Sequence, residues 1–106
     1  MSSPYDLKAL DDVIHVRARL AILSFLASVE EADFKAVREA VGATEGNLSV
    51  HLQKLEDAGF VSVTKTFVGK RPNTRLALTG AGRAALLDYL DRVEMMLESV
   101  RKLTKR

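Results

Sequence analysis

Between residues 44 and 54 the chain strings together Thr44, Glu45, Gly46, Asn47, Ser49, Val50, His51, Gln53 and Lys54, broken only by Leu48 and Leu52. Leu48, Leu52 and Leu55 recur at i, i+4 and i+7, the spacing of a single buried stripe on a helix. With that stripe inward, the short polar side chains face outward over the first two turns. Their chemistry is hydrogen bonding. Asn47, Ser49, His51 and Gln53 can donate to, or accept from, the base edges of the DNA major groove. Gly46 and Ser49 are small enough to let a helix approach those edges, and Lys54 can neutralise a phosphate. Backbone N–H groups at the helix start can hold another phosphate. A merely solvated helix usually shows long Glu and Lys pairs on its outer face. Here Glu45 and Lys54 stand only at the margins of the patch.

A cationic cluster follows close behind: Lys65, Lys70, Arg71 and Arg75 lie on or near a turn. The whole chain carries only +2, yet the charge is unevenly placed. Residues 44–83 hold six Lys/Arg against three Asp/Glu, whereas residues 1–43 hold five against seven. One face made for a polyanion is the implication. A basic loop beside such a helix reaches the flanking backbone or the minor groove. A charged strand edge that discourages sheet-to-sheet association would use the same residues.

Catalytic arrangements are missing. His15 and His51 are the only histidines, and no carboxylate stands at a metal-ligand spacing from either. Ser49 and His51 are two apart on one helix, so they point in different directions and cannot form a nucleophile–base pair. The absence of Cys removes thiolate chemistry, disulfides and Cys-based zinc sites. Gly80-Ala81-Gly82 suits a helix start better than a phosphate loop. The expectation is a protein without enzyme activity, cofactor or metal.

The elements that must position these residues can be read from periodicity and punctuation. Leu7, Leu10, Ile14, Val16, Leu20, Leu23 and Leu26 predict a helix over about 6–28, bent near His15. Asp33 is an N-cap for a short helix from Phe34 to Val41, which Gly42 ends. Thr44 caps the helix from about Glu45 to Ala58, stopped by Gly59. Two short helices joined by Gly42-Ala43-Thr44 make a helix-turn-helix. From Phe60 to Val68 the period falls to two and β-branched residues dominate, predicting a strand. Gly69-Lys70-Arg71-Pro72-Asn73 reads as the turn, and Thr74–Leu78 as the returning strand. Thr79 caps a last helix from Gly80 to about Leu103. Its Leu86, Leu90, Val93, Leu97 and Val100 are spaced 4, 3, 4, 3, a heptad seam widened by Tyr89, Met96 and Leu103.

Residues 44–61 resemble the recognition helix and first wing strand of small winged-helix regulators. They are similar to the T-x-x-x-L-S-x-H-L-x-x-L-x-x-A-G-x-V pattern of ArsR-like and MarR-like repressors. Residues 15–23, HVRARLAIL, resemble the H-x-x-R-L-x-I-L segment of those families, with one residue more between His15 and Arg19, and residues 76–83, LALTGAGR, their second wing strand and last-helix start. The resemblance implies a DNA-binding transcription factor, usually a symmetric dimer, with Thr44, Ser49, His51 and Lys54 facing DNA. It carries no metal sensing, because DFKAVREAVG lacks the Cys-containing motif of the metal-sensing group.

The expected fold is α+β and mostly α: a winged helix-turn-helix of three helices, a two-stranded hairpin wing and a long C-terminal helix. It forms one domain over residues 1–106, whose terminal helices contribute to dimerisation. A last helix of over 20 residues outruns so small a body, leaving an apolar stripe of the kind that marks an interface. Leu90, Val93, Met96, Leu97, Val100 and Leu103, with Leu7, Leu10 and Ile14, are the expected homodimer contacts. Such a dimer would read two half-sites roughly 34 Å apart on a palindromic operator. MSSPYDLKALDD has neither the basic nor the apolar part of a signal peptide, and no apolar run reaches the ~18 residues of a membrane span. A cytoplasmic location is expected. The reading from another class is a winged-helix module that binds a protein and not DNA. Neither reading identifies an effector.

Overall fold

A computed structural model describes residues 5–6 and 10–104. In order along the chain its elements are α1 (Arg17–Ala27), β1 (Ala32–Asp33), α2 (Phe34–Val41), α3 (Glu45–Asp57), β2 (Val61–Val68), β3 (Arg71–Leu78) and α4 (Gly80–Thr104). Four helices and a three-stranded antiparallel sheet result, the strands ordered β1-β3-β2. The fold is therefore the expected mostly helical α+β winged helix, with one strand more than the sequence suggested.

The core is a single cluster. Ile22, Leu23 and Leu26 of α1 meet Val37 of α2, Leu48, Leu52 and Leu55 of α3, Val61 and Leu76 of the sheet, and Leu86 and Tyr89 of α4. The buried stripe of α3 is the one its spacing predicts. Caps set the frame of the two short helices. The Asp33 carboxylate accepts from the Ala36 N–H at 2.8 Å, and the Thr44 hydroxyl accepts from the Asn47 N–H at 3.2 Å. Each satisfies one of the orphan donors that open a helix. Gly42 closes α2 with φ 69°, a left-handed conformation that a side chain would strain.

Three expectations are corrected. The first helix does not begin near residue 6. Residues 10–16 form turns, and Leu7 lies outside the described residues. One Asp11 carboxylate oxygen accepts from the N–H groups of Val13 and Ile14 at 2.8 and 3.2 Å, and its carbonyl accepts from His15 at 2.8 Å. Those local bonds compete with a continuous helix. The apolar spacing persists because Leu10 and Ile14 still turn into the core, Ile14 completely. Buried within their own chain, they offer no surface to a second copy.

The hairpin turn is shorter than expected. Val68 pairs with Arg71 and Phe67 with Pro72, so only Gly69 and Lys70 form the loop, and Arg71-Pro72-Asn73 belong to β3. Gly69 takes φ 62° and Lys70 does not go positive, the arrangement of a type II′ turn. Pro72 is tolerated because β1 reaches only as far as Arg75, leaving the outer side of β3 unpaired there. The third difference is β1 itself, whose Ala32 and Asp33 pair with Leu76 and Arg75. Arg75 fastens this strand, donating through Nε and Nη2 to one oxygen of Glu31 at 3.1 and 2.7 Å.

The start of α4 is built around Thr79. Its hydroxyl donates to the Gly59 carbonyl at 2.7 Å and accepts from the Gly82 N–H at 2.9 Å, while its own N–H donates to the Phe60 carbonyl at 3.0 Å. Gly82 lies so close to that Phe60 carbonyl that a Cβ there would overlap it. One residue thus joins the end of α3, the start of β2 and the first turn of α4. At ~1.5 Å per residue the 25 residues of α4 extend about 37 Å. Only its first half is covered: Leu86 and Tyr89 are buried, Val93 and Met96 half-covered, and Leu97, Val100 and Leu103 are 49, 51 and 64% exposed.

Candidate nucleic-acid interface

With Leu48, Leu52 and Leu55 committed to the core, α3 presents Thr44, Glu45, Gly46, Asn47, Ser49, Val50, Gln53 and Lys54 to solvent. His51 is half-buried on the side toward α1. Two of these residues already have intramolecular work. Thr44 spends its hydroxyl on the Asn47 N–H, and Gln53 donates to the Asp57 carboxylate at 2.9 Å along the same helix. Asn47, Ser49, Val50 and Lys54 have no side-chain hydrogen bond or ion pair among the described residues, and Gly46 has open space where a side chain would stand.

The wing and α3 flank a common groove. One hollow is lined by Glu45 and Ser49 of α3, Phe34 and Lys35 of α2, and Arg71 and Asn73 of β3. The next is lined by Ser49, Gln53 and Glu56 of α3 with Lys65 of β2 and Thr74 of β3. Phe34, Ser49 and Thr74 line both, so the two hollows adjoin along α3 and the wing. The hairpin beyond Thr64 is exposed on both strands as far as Pro72, with Lys70 at its tip. Phe67, at 72% exposure, and Val68 stand beside it.

The candidate cations are therefore not equivalent. Lys65 and Arg71 line the groove alongside α3, Lys70 stands at the free end of the hairpin, and Lys54 is exposed on α3 itself. Arg75 lines neither hollow and is held by Glu31. On the α1 side of α3 a second cleft is lined by Arg17, Ala18, Gly42, Ala43, Asn47 and His51. Arg17 and Arg19 were not singled out as site residues from the sequence. Their separation from residues 44–54 along the chain hides a proximity that only the α1–α3 contact creates.

Among the described residues no group of three or more His, Asp or Glu is placed to hold a metal ion, and no described helix is long and apolar enough to cross a membrane.

The family model of the winged helix DNA-binding domain matches residues 18–97. An uncharacterized protein of Methanocaldococcus jannaschii is 33% identical over 82 residues, 77% of this chain and 89% of the relative. The solved structure of a transcriptional regulator homologue from Pyrococcus horikoshii superposes with a TM-score of 0.78 at 26% identity, over 83% of this chain and 87% of that one. A likeness in fold extends to the transcriptional repressor CouR, solved on a 23-mer DNA duplex. Its TM-score is 0.66 at 23% identity, over 83% of this chain and 66% of CouR.

Proposed function

Because the chain belongs to the winged helix DNA-binding domain family, we propose that it regulates transcription as a homodimer that binds a palindromic operator in double-stranded DNA. In this reading α3 lies in the major groove. Asn47, Ser49, His51 and Gln53 meet base edges, and Thr44, Glu45, Gly46 and Val50 form the surface that must approach them. Lys54, Lys65, Lys70 and Arg71 meet phosphates beside the groove. Arg75 joins them only when it leaves Glu31. The protein works in the cytoplasm without catalysis, and a dimer seated on a promoter represses by occupying it.

The observation that carries this reading is the position of Ser49. A small hydroxyl side chain without a partner among the described residues lines both hollows of the groove, with Lys65 and Arg71 of the wing lining the same hollows. Major-groove insertion needs that combination of small hydrogen-bonding groups with flanking positive charge. Support for the dimer comes from the uncovered half of α4, where Leu90, Leu97, Val100 and Leu103 are exposed and Val93 and Met96 half-exposed along one seam. Isolated apolar residues are common on surfaces, but a continuous stripe is not.

Selection of bound fragments from genomic DNA, followed by gel-shift titration, tests the proposal. The wild type should retain a small set of related palindromes, and Ser49→Ala combined with Asn47→Ala should abolish the preference for them. Lys70→Ala with Arg71→Ala should weaken every duplex alike and lower the log–log salt slope by about two. Identical binding by the Ser49/Asn47 double variant and the wild type would refute the assignment of α3.

A further inference from the structure

Arg19 lies on α1, thirty-two residues before His51, and meets it across the α1–α3 contact. Its Nε–H donates to Nδ1 of the imidazole at 3.3 Å, and its Nη1–H donates to the Val13 carbonyl, also at 3.3 Å. A guanidinium has donors and no acceptor, so the ring nitrogen facing it must be the bare one. In a neutral imidazole the single proton then sits on Nε2. That second nitrogen has no partner among the described residues, and the ring lines the open cleft shared with Asn47, Arg17 and the Gly42-Ala43 turn.

The geometry points to Arg19 as the positioning residue that makes His51 a fixed hydrogen-bond donor toward an acceptor on the major-groove edge of a purine. The inference rests on α3 lying in the groove. An unrestrained histidine can exchange tautomers and turn its ring, offering a donor in one state and an acceptor in the other. It would then tolerate a base that presents N–H as readily as one that presents a lone pair. Arg19 removes that freedom by occupying Nδ1. What remains is an Nε2–H, which mismatches the amino groups of adenine and cytosine and matches a bare acceptor; N7, the acceptor both purines present, is the one assigned to it, ahead of guanine O6 and thymine O4. The second bond of Arg19, to Val13, holds the guanidinium to the turn before α1, so the reach toward His51 does not depend on the ring.

Two measurements on the full chain decide it. In long-range 1H–15N correlation spectra of protein labelled at histidine, the wild-type His51 ring should show the Nε2-protonated tautomer. Arg19→Met, which keeps the length of the side chain without its donors, should show a mixture. A wild-type ring protonated on Nδ1 would overturn the inference, as would an unchanged tautomer in the variant. In the second measurement each purine of the selected duplex is replaced in turn by its 7-deaza analogue, and each phosphate by a methylphosphonate. Loss of one N7 should weaken the wild type about fivefold and leave Arg19→Met within twofold at the same position. An effect that follows one methylphosphonate and no 7-deazapurine would place His51 on the backbone and overturn the base contact. A pool from which no duplex emerges defeats the DNA-binding reading itself, and the base contact with it. The tautomer spectrum is read without DNA and separates the two failures.

Discussion

A methyl group on Gly82 would overlap the Phe60 carbonyl oxygen and come within 2.9 Å of Leu78 Cδ1. Backbone cannot yield as a flexible side chain can, so Gly82→Ala should lose about 2–3 kcal/mol of stability in urea unfolding. Gly46 provides the opposite case. It is helical, with open space around it, so Gly46→Ala should raise stability by about 0.5 kcal/mol. The same methyl would stand between α3 and the bases and weaken duplex binding. One glycine is thus required by packing and the other, in the proposed reading, by approach to DNA, and the paired melts and titrations tell them apart. The residues of α3 were legible because their period leaves no ambiguity about which face Leu48, Leu52 and Leu55 occupy. The tie between Arg19 and His51 was not, because no local rule relates residues thirty-two apart. Arg75 shows the same gap: its charge could be read from the chain, but not its commitment to Glu31.

Among the elements, α2, α3 and β2 were readable because caps, stop glycines and a change of period all agree. β1 escaped because two residues cannot display an alternation, and Asp33 already had an evident role as a cap. The helix drawn back to residue 6 was misread for a different reason. Leu10 and Ile14 are four apart, as a helix requires, but a turn held by the Asp11 carboxylate delivers both to the core as well. Polar bonds tie that turn to the rest of the protein. The ring of His15 bonds the Tyr89 hydroxyl of α4 through Nδ1 at 2.6 Å, and the carbonyl of Val13 receives Arg19. Residues 13–15 therefore tie Tyr89 of α4 to Arg19 of α1. The Thr79 joint has the same role at the other end of the wing. Thr79→Val removes both its hydroxyl bonds while keeping the shape, and should cost about 1–2 kcal/mol. If the melting curve of that variant matched the wild type, the clasp would not be what fixes the start of α4.

At the scale of the whole molecule, a body about 24 Å across carries a helix that extends its long dimension to 62 Å. Leu97, Val100 and Leu103 on that helix belong to no core, so a charge placed there tests assembly without testing folding. Val100→Glu with Leu97→Glu should leave the melting of a dilute sample nearly unchanged and halve the mass seen by sedimentation. Affinity for a full palindrome should fall toward that for a single half-site. A wild type that sediments as a monomer at every concentration would remove the dimer from the reading.

The close fit of Gly82 against Phe60 also governs distance. A joint with no spare volume cannot act as a hinge, so α4 leaves the body at one angle and any pair built through it holds its two reading heads like a locked calliper. Moving the halves of an operator five base pairs apart turns the second half to the far side of the duplex. A hinged protein could follow it there. This one should bind the stretched site no better than it binds one half alone.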